Sequence, residues 1–152
     1  MVEMDETARL ELARRMAAAI PHSVALGMHV EAIGHGSAVI SVPYDEKLVG
    51  DPTTGVVHGG VITALLDGTA GTAVMTHPKA PGGTATIDLR IDYMRAARPG
   101  QTITAHAECY RLTRNVAFVR AYAHDGDPED PVAQANGAFT VEPRGTKIGE
   151  TA

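Results

Sequence analysis

Two consecutive glycines follow a histidine in Gly55-Val56-Val57-His58-Gly59-Gly60, where a polar stretch gives way to the apolar run VITALL. Glycines are costly inside a helix but useful at its first turn, where N–H groups without intrahelical partners point outward and the dipole is positive. A carbonyl laid on that turn would be polarised, with the Gly59 or Gly60 N–H donating to its oxygen. A helix start that packs tightly against its surroundings is the alternative use of the same glycines. Nine residues beyond His58 stands Asp67, among Leu65, Leu66 and Ala70, with no basic residue four positions away. A carboxylate is expensive to bury unpaired, so Asp67 is a candidate general base or nucleophile; the plainer reading has it hydrogen-bonded to a loop or facing water. Thr86 could orient an attacking water or Asp67, although threonine also serves strands for its β-propensity alone.

Distance along the helix decides how these groups could cooperate. Asp67 lies eight residues after Gly59, roughly 12 Å at ~1.5 Å per residue, so the two cannot touch one carbonyl within a single chain. Antiparallel pairing of two such helices across a two-fold axis would bring one chain's Asp67 to the other's Gly59 turn and make two equivalent sites. Other chemistries lack their residues. The histidines at 22, 29, 35, 58, 77, 106 and 124 show no HExxH or paired Cys/His spacing, so no metal is expected. No GxSxG, GxGxxG or GxxxxGK[ST] occurs, and the serines are confined to positions 23, 37 and 41, which argues against a serine hydrolase relay and against nucleotide folds. Arg90, Arg95, Arg98, Arg111 and Arg114 cluster around the later strands, where they could meet phosphates or simply be solvated.

The elements that must position these residues follow from periodicity. Asp5 to about Ala19 reads as an amphipathic helix with Leu12, Met16, Ala19 and Ile20 on one side, and Pro21 as its stop. MHVEAIGHGSAVISV alternates around Gly34-His35-Gly36, predicting two strands with a tight reversal or one bulged strand. Pro43 to Val57 reads as a long polar connection. From His58 to about His77 runs one small-residue helix with Ile62, Leu65, Leu66, Thr69, Ala73 and Val74 at helical intervals; Gly68 and Gly71 within it each cost about 1 kcal/mol relative to Ala, for which close approach by a surrounding sheet would compensate. Four strands follow, in Thr84 to Met94, Gln101 to Tyr110, Asn115 to His124 and Val132 to Val141, and with no crossover helices between them they predict an antiparallel meander curled around the helix.

With 152 residues, the chain is one domain, and its net charge of -5 argues against nucleic acid as a partner. Cys109 is the single cysteine, which fits a reducing compartment; the N-terminus is acidic where a signal peptide would be basic, and no apolar run reaches membrane-spanning length, so a cytoplasmic protein without a membrane partner is expected.

GVVHGGVITALLDGTAG at 55–71 and TATIDLRIDYMRAARPG at 84–100 resemble the hotdog-fold thioesterases of the phenylacetic-acid-degradation (PaaI-like) group, and the likeness extends loosely from Leu26 to about Val141. The resemblance implies an α+β hotdog fold, a curved antiparallel sheet wrapped around a long central helix, here with an additional N-terminal helix. Residues 1–25 would be the helical extension, 26–143 the thioesterase domain and 144–152 a flexible tail. It implies homodimers, commonly paired into tetramers, with active sites between subunits and no cofactor. The family's acidic residue falls on Asp67, its oxyanion glycine on Gly59 beside Gly60, and its water-assisting hydroxyl on Thr86, with His58 steadying the turn. Many relatives carry Asn six residues before the motif His; here that position is Pro52, so any help must come from Thr53 or Thr54. The implied reaction is hydrolysis of an aromatic or short- to medium-chain acyl-CoA to acid and CoA, with the CoA phosphates near Arg90, Arg95 and Arg98. An enoyl or hydroxyacyl thioester hydratase and a non-catalytic acyl-CoA binding protein are the alternatives.

Overall fold

The computed structural model describes residues 5–79 and 81–143. The expected tail at 144–152 lies outside the described residues. Helix α1 (Glu6–Ala18) starts at Asp5, whose carboxylate accepts the Ala8 N–H at 2.7 Å. α1 ends ahead of Pro21, as the sequence suggested, but Pro21 does more than mark that stop. It opens a second helix, α2 (Pro21–Leu26), at the first position, where a missing N–H costs nothing, and Gly27 closes that helix with φ 71°. The predicted apolar side of α1 is also corrected: Leu10, Ala13 and Ala17 rest against the core, whereas Leu12, Met16 and Ile20 stay exposed and no residue of α1 is buried. Side-chain straps hold α1 instead, with Arg9 donating to the Gly34 and Thr76 carbonyls and Arg14 to that of Val30.

Strands β1 (His29–Ile33) and β2 (Ser37–Val42) form the hairpin around Gly34-His35-Gly36. The stretch read as a plain connection carries a single 3-10 turn at Glu46–Leu48 and a small hairpin of β3 (Val49–Asp51) and β4 (Val56–Val57). Helix α3 (Gly59–Met75) follows, then β5 (Thr86–Tyr93), β6 (Ile103–Leu112), β7 (Val116–His124) and β8 (Ala133–Thr140). Only β6, β7 and β8 form a meander. The sheet order β1-β2-β6-β7-β8-β5 places β5 beyond β8 at an edge, so the chain crosses the sheet between β5 and β6. This is the hotdog arrangement, a six-stranded antiparallel sheet around one helix, with an N-terminal helical addition. None of the described helices is long and apolar enough to cross a membrane.

Small residues let the sheet close on α3. Ala105, Ala107, Ala117, Ala121, Ala123, Ala133 and Ala135 are buried on its inner face, opposite Leu65, Leu66, Ala70, Ala73 and Val74, all fully buried on the helix. Alternation puts these alanines inward and the longer polar side chains of the same strands outward. Cys109 is buried in this layer, and its burial pushes the thiol pKa up.

The sheet crossing is pinned by one buried carboxylate. Asp125, with no exposed side-chain surface, accepts from Arg95 Nη2 at 2.7 Å and Nη1 at 3.0 Å, and from the Arg98 backbone N–H at 2.7 Å and Nη2 at 3.0 Å. Arg95 also reaches Asp130 at 3.0 Å. The Arg95 hydrogen bonds, joined by those of Arg98, hold the Asp125 carboxyl far below the usual carboxylate range despite burial, which opposes the shift. Replacing Asp125 by Ala leaves two guanidinium groups facing a dry void. We expect a loss of roughly 2–4 kcal/mol in urea unfolding, less than a wholly buried pair would cost because Arg98 remains open to water. Because its folded pKa is depressed, the contribution of Asp125 is complete above the unfolded value of about 3.9 and is lost as pH falls from there. Acid unfolding curves should show stability dropping below about pH 4, with a smaller drop in Asp125→Asn.

Candidate active site

His58 is the N-cap of α3, and its Nδ1 accepts the Gly60 N–H at 2.9 Å. Its own N–H donates to the Leu48 carbonyl at 2.9 Å, tying the helix start to the β3–β4 hairpin. That hairpin passes so close that a Cβ on Gly50 would lie 2.8 Å from His58 Cα, a backbone clash only glycine avoids. With Gly60 used by the cap and Val61 bonded to the His58 carbonyl, the Gly59 N–H is left without a partner among the described residues and exposed at the positive end of the helix. The Gly59 carbonyl, by contrast, accepts from Tyr93 Oη at 3.1 Å and Thr63 Oγ1 at 3.3 Å, and the two hydroxyls bond to each other. Tyr93 was visible in the sequence only as the end of a strand; its partnership with Gly59 depends on β5 running alongside α3, which no local pattern announces.

At the other end of β5 a one-residue bulge decides where Thr86 points. Asp88 pairs with Ala138 and Leu89 with Gly137, yet Thr86 stands opposite Phe139, so Ile87 is the extra residue. Regular alternation from Leu89 would send position 86 to the outer face. The bulge turns it to the Phe139 side, toward the helix. Thr86 Oγ1 donates to Asp67 Oδ1 at 2.7 Å, and Asp67 is half-buried. The structure therefore brings Asp67 together with Thr86, and His58 with Gly59 and Gly60, as two clusters at opposite ends of β5.

Asp67 and Thr86 open into a cleft of about 1090 Å³ between α1 and α3. Its floor includes Gly68 and Gly71. The expected approach of the sheet is looser than glycine requires: a Cβ at Gly68 would meet only Met28 Sδ at 3.8 Å, and one at Gly71 would reach Phe139 Cε1 of β8 at 3.9 Å, ordinary contacts.

The remaining residues singled out in the sequence lie elsewhere. Thr53 and Thr54 sit on the exposed turn after β3, where the Asp51 carboxylate accepts the Thr53 N–H at 3.0 Å and the Thr54 hydroxyl at 2.8 Å. These bonds, the hydroxyl first, lower the Asp51 pKa and give Pro52 a fixed turn to occupy. Arg90 pairs on the open sheet face with Asp92, while Arg95 and Arg98 are engaged by Asp125, so a phosphate at either would share a guanidinium with that carboxylate.

The family model described as "Thioesterase superfamily" matches residues 54–132, which include both clusters and all of α3 and β5. The chain belongs to the thioesterase superfamily. A solved protein from Pseudomonas aeruginosa is 42% identical, with a TM-score of 0.78 over 87% of this chain and 98% of that one. The medium/long-chain acyl-CoA thioesterase YigI of Escherichia coli is 29% identical over 135 residues, 80% of this chain and 86% of its own. The E. coli PaaI protein of the phenylacetic acid degradation operon shares the fold, with a TM-score of 0.77 at 19% identity over 90% and 94% of the two chains. This thioesterase is PaaI-like in its fold and a thioester hydrolase by family.

Because His58 supplies the helix cap, His58→Ala is expected to cost about 0.5–2 kcal/mol in thermal or urea unfolding. His58→Asn, which can cap, should recover most of it.

Proposed function

We propose that this thioesterase hydrolyses acyl-CoA to a carboxylic acid and free CoA, at two equivalent sites shared between the protomers of a homodimer. The hydrogen bond between Thr86 and Asp67, at the head of an apolar cleft, is the observation that carries this reading. A carboxylate beside a hydroxyl can hold one water between them and take its proton. Supporting it, the relative YigI is named for acyl-CoA thioester hydrolysis.

In the proposed reaction, the water oxygen attacks the thioester carbonyl carbon while Asp67 accepts the water proton and Thr86 fixes the water's direction. The developing oxyanion takes the N–H of Gly59 from the partner subunit. The C–S bond then breaks, and the proton held by Asp67 goes to the departing thiolate. Direct attack by Asp67 with an acyl-aspartyl intermediate is the variant of the same geometry.

The edge position of β5 supports the two-chain site. Its free side carries exposed Ile87 and Tyr93, followed by exposed Met94. Antiparallel pairing of two β5 edges lays the Thr86 end of one strand beside the Tyr93 end of the other, and so sets one Asp67 near the other Gly59. A further pairing of dimers into a tetramer is the assembly the family resemblance favours. In this arrangement Thr53, Thr54, Arg90 and the 61% exposed Arg98 side chain are assigned to the CoA moiety, with Arg95 confined to what Asp125 leaves unengaged.

Thiol release from aryl, short-chain and medium-chain acyl-CoAs tests the assignment. Asp67→Asn should lose roughly 100-fold or more in kcat, and Thr86→Val roughly 10-fold, with Thr86→Ser near the native rate. Saturable binding without thiol release would instead indicate a binding protein, and reversible hydration of an enoyl-CoA a hydratase. Ile87→Asp, which alters an exposed edge residue, should lower sedimentation mass and activity together; full activity in a verified monomer would discard the shared site.

A further inference from the structure

We propose that the cleft between α1 and α3 is the acyl-chain site, built for a linear aliphatic chain of medium length, with Leu12 and Met16 as its wall and Gly68 and Gly71 as its floor. The proposal deepens the catalytic reading above and rests on Asp67 marking the thioester end.

Three observations converge on the cleft. First, α1 is fastened to the fold by Arg9 and Arg14 on backbone carbonyls and buries no residue of its own. It nevertheless turns Leu12 (41% exposed) and Met16 (50%), followed by Ile20 (52%), into the cleft at four-residue intervals, a continuous apolar stripe on one wall. Leu10, Ala13 and Ala17 already attach the helix to the core, so Leu12 and Met16 are not needed for that and line a space instead.

Second, the floor is glycine where packing within the chain does not ask for glycine. A methyl at Gly68 or Gly71 would meet its nearest neighbour at 3.8 or 3.9 Å, and alanine is the better helix former at both positions. What a side chain at either would occupy is the cleft. The interior glycines of α3 thus keep open a channel that runs along the helix.

Third, the channel has a direction and a length. Asp67 and Thr86 stand at one end, and the lining continues past Met75 to His77. From Asp67 to Met75 the helix advances about 12 Å at ~1.5 Å per residue. An extended chain of C–C bonds of about 1.5 Å gains about 1.25 Å per carbon, so a carbonyl held at Asp67 leaves room for about ten carbons. Phe139 supplies the one phenyl ring of the lining, with the polar imidazoles of His35 and His77 at the end away from Asp67. An aryl group would occupy only the first turn and leave the stripe of α1 in water, whereas a flexible alkyl chain covers it.

The test compares butyryl-, octanoyl-, decanoyl- and dodecanoyl-CoA in thiol release. The native enzyme should gain about two- to four-fold in kcat/KM per added methylene up to about ten carbons, the range expected for methylenes leaving water for an apolar but partly open site. In Gly71→Leu, whose side chain projects into the channel, the decanoyl-to-butyryl ratio should fall at least ten-fold. Met16→Ser alters an exposed wall residue that folding does not need, and it should raise the KM for decanoyl-CoA several-fold more than that for butyryl-CoA. A flat chain-length profile in the native enzyme, or ratios unchanged in both folded variants, overturns the proposal. If the native enzyme releases no thiol from any substrate, the catalytic reading has failed and calorimetry separates the two ideas. Tighter binding of decanoyl-CoA than butyryl-CoA, abolished by Gly71→Leu, keeps the channel, and equal binding removes it. Loss of assembly in Met16→Glu by sedimentation, with chain-length selectivity intact, would give the stripe to a second copy of the chain and also overturn the proposal.

Discussion

A helix enclosed by a sheet can act only at its ends and along whatever flank the sheet leaves uncovered, and that constraint governs α3. Leu65, Leu66, Ala70, Ala73 and Val74 are fully buried, committed to the sheet. Their contacts fix the helix in rotation and in height. Once it is fixed, the polar opportunities are few: the first turn, where unpaired N–H groups remain, and the strip through Asp67, Gly68 and Gly71 that faces α1. The first turn takes its cap from His58, so the donor left over is Gly59. The strip holds one carboxylate. Donor and carboxylate are separated by about two turns of a rigid helix, a distance no side-chain rotation closes.

In the proposed dimer, strand β5 would convert that separation into a usable one. It lies alongside α3 at the sheet edge, contributing Tyr93 at the Gly59 end and Thr86 at the Asp67 end. Its bulge at Ile87 is what makes the second contact, because one extra residue reverses the face to which Thr86 belongs. The ladder to β8 is regular from Asp88 to Tyr93, so the irregularity is confined to the end beside Asp67. An exposed strand edge is normally a liability for aggregation. In the proposed dimer the two ends of the edge would carry complementary halves of a site, which would give that edge a use when it meets a second copy of itself.

Much of this was legible in the residues. The strands of the main sheet, the helix from His58 and its buried face follow directly from periodicity, whereas the short β3–β4 hairpin did not, and the contact of Thr86 with Asp67 was among the sequence's expectations. What escaped was decided by non-local geometry. Strand order depends on whether β5 finds β6 or β8 as its neighbour, and alternation is identical for both. Pro21 was legible as the limit of α1, but its second use, opening α2 at the first helical position, was not. Arg95 and Arg98 looked like free cations because Asp125, some thirty positions away in sequence, is silent until the β7–β8 turn folds beneath them.

The scarcity of aromatics joins these features. Phe and Tyr make only 4% of the chain and Trp is absent, so no bulky ring spaces sheet from helix; alanines do the packing. Small side chains allow the sheet to approach α3 closely on one side. They bury little surface each, so the fold must gain by completeness of contact, and an inner sheet face with so many fully buried alanines has little freedom to shift. A gap on the opposite flank cannot then be removed by collapse of the sheet, since the sheet is already in contact. Only α1 could close it, and α1 is held off by polar straps to carbonyls at Gly34, Thr76 and Val30. The same economy of side-chain volume that packs one face of α3 therefore leaves the other open at Asp67.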